Sequence, residues 1–194
     1  MTESVHTNID LALVHFPVYN KPGDVVTSSV TTLDVHDIAR ICRTYAVDTF
    51  YVVTPLETQQ KLVQRMMSHW LEGYGAEYNP TRKEALLNAR VVNVLDDAVA
   101  EIAQRRGKKP KTVIPDAKPF PQSQSYPEVR AALDPNERYL LVFGTGWGLE
   151  KGIVERADIV LAPIAGLSGY NHLPVRAAIA IILDRLLGND PKGD

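Results

Sequence analysis

Three short stretches in the last third of the chain hold the residue types that could grip a small molecule through the main chain. Gly144-Thr145-Gly146-Trp147-Gly148 follows the apolar run Tyr139 to Phe143. Leu161-Ala162-Pro163-Ile164 closes the run from Ile159, and Ala165 to Asn171 leads towards a helical pattern. A glycine lets the backbone approach a ligand where a Cβ would collide, so the amides and carbonyls here are candidate binding groups. For Gly166 a tight turn explains the residue equally well. No nucleophile stands out. Arg40, His172 and Arg176 are the side chains that could stabilise negative charge developing on an acceptor atom. For each a plainer role competes: Arg40 as a surface arginine paired with Asp34 or Asp37, His172 as a helix cap, Arg176 as a ligand-binding residue.

Two nucleotide-binding patterns fail on named residues. A phosphate-cradling loop needs Lys and then Ser or Thr after its last glycine, whereas Leu149 and Glu150 follow here. A dinucleotide fold needs a full crossover helix after the glycines. About eight residues separate Leu149 from the next strand, which ends at Ala162-Pro163 with no acidic residue.

The runs Tyr139 to Phe143 and Ile159 to Ile164 read as strands buried on both faces. The helix from Leu173 to Leu187 carries Val175, Ala178, Ile179, Ile182 and Leu186 at helical spacing, with Gly188 as its stop. Upstream, Ile9 to Val18, Asp48 to Thr54, Ala89 to Leu95 and Thr112 to Ala117 read as further strands. Helices are expected over Thr31 to Tyr45 with Thr32 as cap, from Pro55 to Leu71 with Leu56, Leu62, Val63, Met66 and Trp70 inward, over Arg82 to Asn88, from Ala98 to Arg106, and over Pro127 to Leu133. Tyr19 to Thr31 is either a long functional loop or a hairpin of Val25, Val26 and Val30. Glu72 to Asn79 reads as a turn-rich link, and Lys118 to Tyr126 as a loop. Strands and helices alternate throughout, which argues a three-layer α/β fold on a parallel sheet, with the loops at the strand ends where ligands bind.

In this order FGTGWGL, LAPIAG and YNHLPVRAAIAIILDRLLG resemble the three cofactor loops of SPOUT-class RNA methyltransferases, and the chain is similar to the single-domain family of S-adenosylmethionine-dependent RNA methyltransferases. The resemblance implies one SPOUT domain over residues 1–194, with a deep trefoil knot at about 139–188, assembled as a homodimer through the last helix and the cofactor loops. It implies that S-adenosylmethionine, and its product S-adenosylhomocysteine, are held by Phe143, Gly144, Thr145, Gly146, Gly148, Leu161, Ala162, Pro163, Ile164, Gly166, Tyr170, Asn171, His172, Leu173 and Arg176. HDIARICRTYA resembles the first motif of the ribose-methylating branch, and aligned on its end the branch's functional arginine falls on Arg40. Asp34 and His36 stand where that branch has Asn and Gly. The implied reaction is methyl transfer to a ribose hydroxyl or base nitrogen of tRNA or rRNA. A catalytically silent knotted module and a flavodoxin-like nucleotide-binding protein stay open beside it.

An apolar content of 45% suits one domain with a full core. The single Cys42 excludes an intrachain disulfide and a thiolate metal cluster. With no long apolar run and no signal-peptide pattern in the first ten residues, a cytoplasmic location is expected. A net charge of −2 gives no global pull on nucleic acid. Any RNA contact must then be local, and Arg105, Arg106, Lys108, Lys109 and Lys111 form the densest basic run, either a phosphate-binding patch or a solvated turn.

Overall fold

The computed structural model describes residues 7–168 and 170–188. Gly169 and residues 1–6, which fall within segments read above, lie outside the described residues. The first half runs β1 (Ile9–Val14), β2 (Val18–Tyr19), β3 (Val25–Val26), α1 (Thr32–Thr44), β4 (Phe50–Val53), α2 (Glu57–Leu71), α3 (Tyr74–Tyr78), α4 (Pro80–Leu86), β5 (Ala89–Val92) and α5 (Leu95–Arg106). The second runs β6 (Lys111–Pro115), β7 (Ser123–Gln124), α6 (Tyr126–Ala132), β8 (Tyr139–Gly144), α7 (Lys151–Glu155), β9 (Ile159–Leu161) and α8 (Val175–Leu187).

Seven strands form one sheet in the order β5-β4-β1-β8-β6-β9-β7, parallel throughout. β2 and β3 pair apart from it as an antiparallel hairpin. The strands are apolar on both faces because both are covered. Ile9, Leu11, Leu13, Phe50, Val52, Tyr139, Leu141 and Phe143 point to the layer of α1, α2, α4, α6 and α8. Ala12, Val14, Tyr51, Val53, Leu140 and Val142 point to the layer of α5 and α7. The alternation is the period of two of a strand, and burial on both sides produces the continuous hydrophobic runs. Cys42 lies in the first layer, where burial pushes its thiol far above the usual range.

β9 fills the place between β6 and β7, although both precede it in the chain. The chain thus leaves a gap in the sheet and fills it only after β8 and α7. α8 then packs on α6 and α1.

Several local expectations shift. The cap of α1 is Thr31, whose hydroxyl accepts from the Asp34 amide, rather than Thr32. Pro174, not His172, stands at the cap of α8, without a side-chain cap bond, and the helix starts two residues later than its periodicity implies. Leu56 and Leu62 are exposed, so α2 buries mainly Val63 with Met66, Met67 and Trp70 partly covered. The link Glu72 to Asn79 holds a helical turn, and the loop before α6 contributes an edge strand. The turn packs on α2 and α4 beside it in the chain and the edge strand on the distant β9, and both are too short for periodicity to show.

Candidate active site

Because the sheet is parallel, the loops after β1, β6, β8 and β9 all leave its C-terminal edge together. The glycine loop after β8 is held from two sides. Trp147 N donates to Tyr19 O (3.0 Å), Tyr19 N to Gly148 O (2.9 Å) and Glu150 N to Pro17 O (3.2 Å), so the β2–β3 hairpin clasps it. Gly146 and Gly148 have φ of 59° and 104°, a left-handed backbone that favours glycine.

The second hold is a partly buried chain of hydroxyls ending on His15. Thr145 Oγ1 donates to Val14 O (3.0 Å) and also lies 2.5 Å from Ser28 Oγ, which is 3.0 Å from His15 Nδ1. Thr145 has one proton and gives it to Val14, so Ser28 donates to Thr145 and His15 must donate from Nδ1. Donor counting therefore assigns the neutral imidazole its Nδ1–H form. His15 is fully buried, its Nε2 has no partner, and burial pushes its pKa down to about 4 against the pull of Asp34. A proton on Nε2 would be stranded there. The chain ties the end of β1, the long connection through Ser28 and the glycine loop into one unit.

The loop after β9 is the reverse: its peptide groups are free. Ala162 N donates to Gln124 O (2.8 Å), but among the described residues the amides of Ile164 to Leu167 donate to nothing. Ala165 to Leu167 are exposed, so these amides are open to water or to a polar ligand that takes its place. A Cβ added at Gly166 would meet nothing within 4 Å, and its φ is outside the left-handed region. Neither turn geometry nor packing within the chain demands glycine there. By contrast a Cβ at Gly144 would stand 2.8 Å from Leu149 N. Phe143 and Leu161 are buried, so only their backbones can reach a ligand, whereas Tyr170, His172 and Leu173 are exposed. Asn171 Nδ2 donates to Ala117 O (2.9 Å), which ties this loop to the segment after β6. That segment, 116–122, belongs to the same edge. The sequence reading missed it; its signal was the C-terminal end of the strand ending near Ala117.

Beside the loops, α1 and the start of α8 enclose an open groove of about 560 Å³, lined by Asp37, Arg40, Thr44, Arg176, Ala177 and Ala180 among others. Arg176 is fixed by two carboxylates, Asp34 Oδ1 at 2.5 Å and Asp37 Oδ2 at 3.2 Å. The acids that the plainer reading would have paired with Arg40 are thus taken by Arg176. Arg40 is exposed on the groove and forms no ion pair among the described residues. One turn before it, His36 packs edge-on to Trp70, and burial, then the charge of Arg82, lowers its pKa.

The basic run lies at the opposite edge of the sheet and is largely engaged there. Arg106 pairs with Asp48, Arg105 with Glu101 (3.4 Å) and Asp10 (3.5 Å), and Lys108 with Glu137 (2.7 Å), with Lys111 Nζ 3.9 Å from the same carboxylate. Arg138 bridges Asp10 (3.0 Å) and Asp48 (2.6 Å). Of the run, Lys109 makes no ion pair among the described residues. The solvated-turn reading fits better than a phosphate patch, because these charges neutralise carboxylates at the strand starts. Among the described residues no helix is long and apolar enough to cross a membrane.

The residues fit a nucleoside-bearing donor: a glycine loop clasped from both sides leaves the same sheet edge as a loop of unpaired amides with open space at Gly166. The known proteins the chain resembles agree. A family model described as SAM-dependent RNA methyltransferase matches residues 8–188. An uncharacterized protein of Aquifex aeolicus is 38% identical over 96% of this chain and 91% of its own length. A protein of Oleidesulfovibrio alaskensis named tRNA (guanine-N(1)-)-methyltransferase is 42% identical over 94% of this chain, which spans only 42% of that protein. Among solved structures, the TrmH/SpoU tRNA modifying enzyme of A. aeolicus superposes with a TM-score of 0.56 at 18% identity, over 95% of this chain and 76% of that one, a likeness of fold. With the fold of the SPOUT methylases and a matching family model over nearly its whole described length, the chain belongs to the S-adenosylmethionine-dependent RNA methyltransferases and is an enzyme of methyl transfer to RNA.

Proposed function

We propose that the donor lies between the glycine loop Gly144 to Gly148, the backbone of Leu161 to Gly166 and the segment Tyr170 to Arg176, and that Arg40 acts on the acceptor beside it. The observation that carries this reading is the sorting of the arginines: Arg176 is neutralised by Asp34 and Asp37, while Arg40 on the same groove is unpaired among the described residues. Bound S-adenosylmethionine supplies the methyl group as an electrophile on its sulfonium. The protein's part is to hold that methyl in line with the acceptor and to place a cation where the acceptor gains charge as its proton leaves. An oxygen acceptor gains most from a guanidinium, and the likeness of the Arg40 segment to the ribose-methylating branch supports a ribose 2′-hydroxyl.

The RNA we propose is tRNA. Support comes from the longer relative that joins a region like this chain to a protein named for tRNA methylation. Its guanine N1 specificity belongs to a protein more than twice as long and is not carried over. The threading of β9 between β6 and β7 supports a trefoil knot. The small residues Ala177 and Ala180 on the open side of α8 support a homodimer through the last helix and the cofactor loops, each chain one SPOUT domain in the cytoplasm.

Incubation with methyl-labelled S-adenosylmethionine and either tRNA or rRNA lacking the modification tests this reading. Label is expected in tRNA, in nucleotides that resist alkaline hydrolysis as 2′-O-methylated dinucleotides. Label in a free base nitrogen or in neither RNA contradicts it.

A further inference from the structure

Three segments of the C-terminal edge enclose a second groove, of about 370 Å³, lined by Tyr19, Asn20, Lys21 and Gly23 of the hairpin, Lys118 and Trp147. We propose that it is a subsite for an unpaired nucleotide of the RNA substrate flanking the methylated one, its base stacked on Trp147 and its phosphates met by Lys21 and Lys118. The proposal rests on the RNA methylation reading above and adds where the strand lies.

Trp147 is 56% exposed, yet sits on the most restrained loop of the edge. Its own amide is bonded to Tyr19 O and its neighbours are the two left-handed glycines, so the backbone under the indole is fixed before any ligand arrives. Tyr19 is pinned as well, its hydroxyl accepting from the Lys151 amide (3.2 Å). Among the described residues no aromatic ring or cation packs on the Trp147 indole. A large apolar ring carried on a tied backbone and left open to water is a stacking platform, and stacking accepts any base because every base has a π-face.

The cations point the same way. Lys21 and Lys118 lie on different segments, and neither forms an ion pair among the described residues. The nearby carboxylates are occupied: Asp24 Oδ2 accepts from Asn20 Nδ2 (3.0 Å), and Asp116 Oδ1 accepts from the Lys118 amide (2.8 Å). Asn20 spends its oxygen on the amides of Gly23 (2.9 Å) and Asp24 (2.8 Å). With its side chain consumed by the turn, the groove offers stacking and charge but no reader of base edges. It suits a flanking nucleotide of any identity rather than the target itself.

The test measures binding of unfractionated tRNA by filter retention at several salt concentrations, and of S-adenosylhomocysteine by calorimetry, for wild type, Trp147→Ala, Trp147→Phe and the pair Lys21→Ala with Lys118→Ala. Trp147→Ala is expected to weaken tRNA binding about tenfold while Trp147→Phe stays near wild type. The lysine pair is expected to flatten the log–log salt slope by about 1.4. S-adenosylhomocysteine affinity stays unchanged in the lysine pair, and in the two Trp147 variants, whose residue lies on the donor loop, it falls less than tRNA affinity does. Equal tRNA binding by wild type and Trp147→Ala overturns the subsite and leaves the methyltransferase reading standing. An equal loss of S-adenosylhomocysteine would move the ring to the donor site and overturn it too. A wild type that binds S-adenosylhomocysteine but no tRNA would remove the tRNA reading and the subsite together.

Discussion

Replacing Gly166 by Ala separates what the protein needs for itself from what it needs for its ligand. The new methyl would meet no atom within 4 Å, and the backbone there is not in the left-handed region, so the free enzyme should melt as wild type, within about 0.5 kcal/mol. If the donor lies against this backbone, the methyl intrudes on it, and overpacking of this kind costs about 1–3 kcal/mol. That is about a five- to 150-fold rise in Kd. Gly144→Ala is the internal contrast. There the Cβ would stand 2.8 Å from Leu149 N and 2.9 Å from Leu149 Cγ, so it should destabilise the free protein by about 1–3 kcal/mol. Calorimetric titration with S-adenosylhomocysteine and thermal melts of both variants give the comparison. A Gly166→Ala protein that melts normally and binds within twofold of wild type would refute contact between that backbone and the donor.

Arg40→Ala should leave S-adenosylhomocysteine affinity near wild type and slow methyl transfer at least tenfold; an equal fall in both would make Arg40 a donor-binding or structural residue. His15 gives a pH signature. Its folded pKa of about 4 lies below the unfolded 6.5, so the unfolded chain binds more protons between the two values. Stability should be complete above about pH 6.5 and fall by about 1.4 kcal/mol per pH unit as pH drops towards 4. Urea unfolding at pH 5, 6 and 7 should show that slope in wild type and a shallower one in His15→Gln; parallel slopes would contradict the buried neutral imidazole. Arg138→Ala removes the shared partner of Asp10 and Asp48, which keep Arg105 and Arg106, and should cost about 1.5–3 kcal/mol. A loss below about 1 kcal/mol in urea unfolding would show the cluster at that edge to be well hydrated.

What could be read in the chain was whatever repeats locally. Val35, Ile38, Ala39 and Cys42 declare the inner face of α1 at helical spacing, and all four are buried. The runs that became β1 and β8 are apolar but for Asp10 at the start of β1, because both faces are covered. The glycine loop was legible because three glycines in five residues suit little else. The partners were not legible. Arg176 meets Asp34 across most of the chain, and Ser28 meets Thr145 the same way, so no window of sequence contains either pair. The same blindness left Arg40 open between a functional arginine and one paired with the acids that Arg176 takes, and left the basic run open between a patch and a solvated turn when acids at distant strand starts absorb most of it. The edge strand Ser123–Gln124 has no pattern of its own and exists because β9 lies beside it.

The placement of the donor is tested most directly by a crystal structure of the protein grown with S-adenosylhomocysteine. The expected result is one molecule per chain, its adenosine against the backbone of Leu161 to Gly166 and Gly144 to Gly146, with the sulfur turned towards the Arg40 groove. A molecule bound away from the C-terminal edge of the sheet, or one that leaves the amides of Ile164 to Leu167 without a partner, would contradict it.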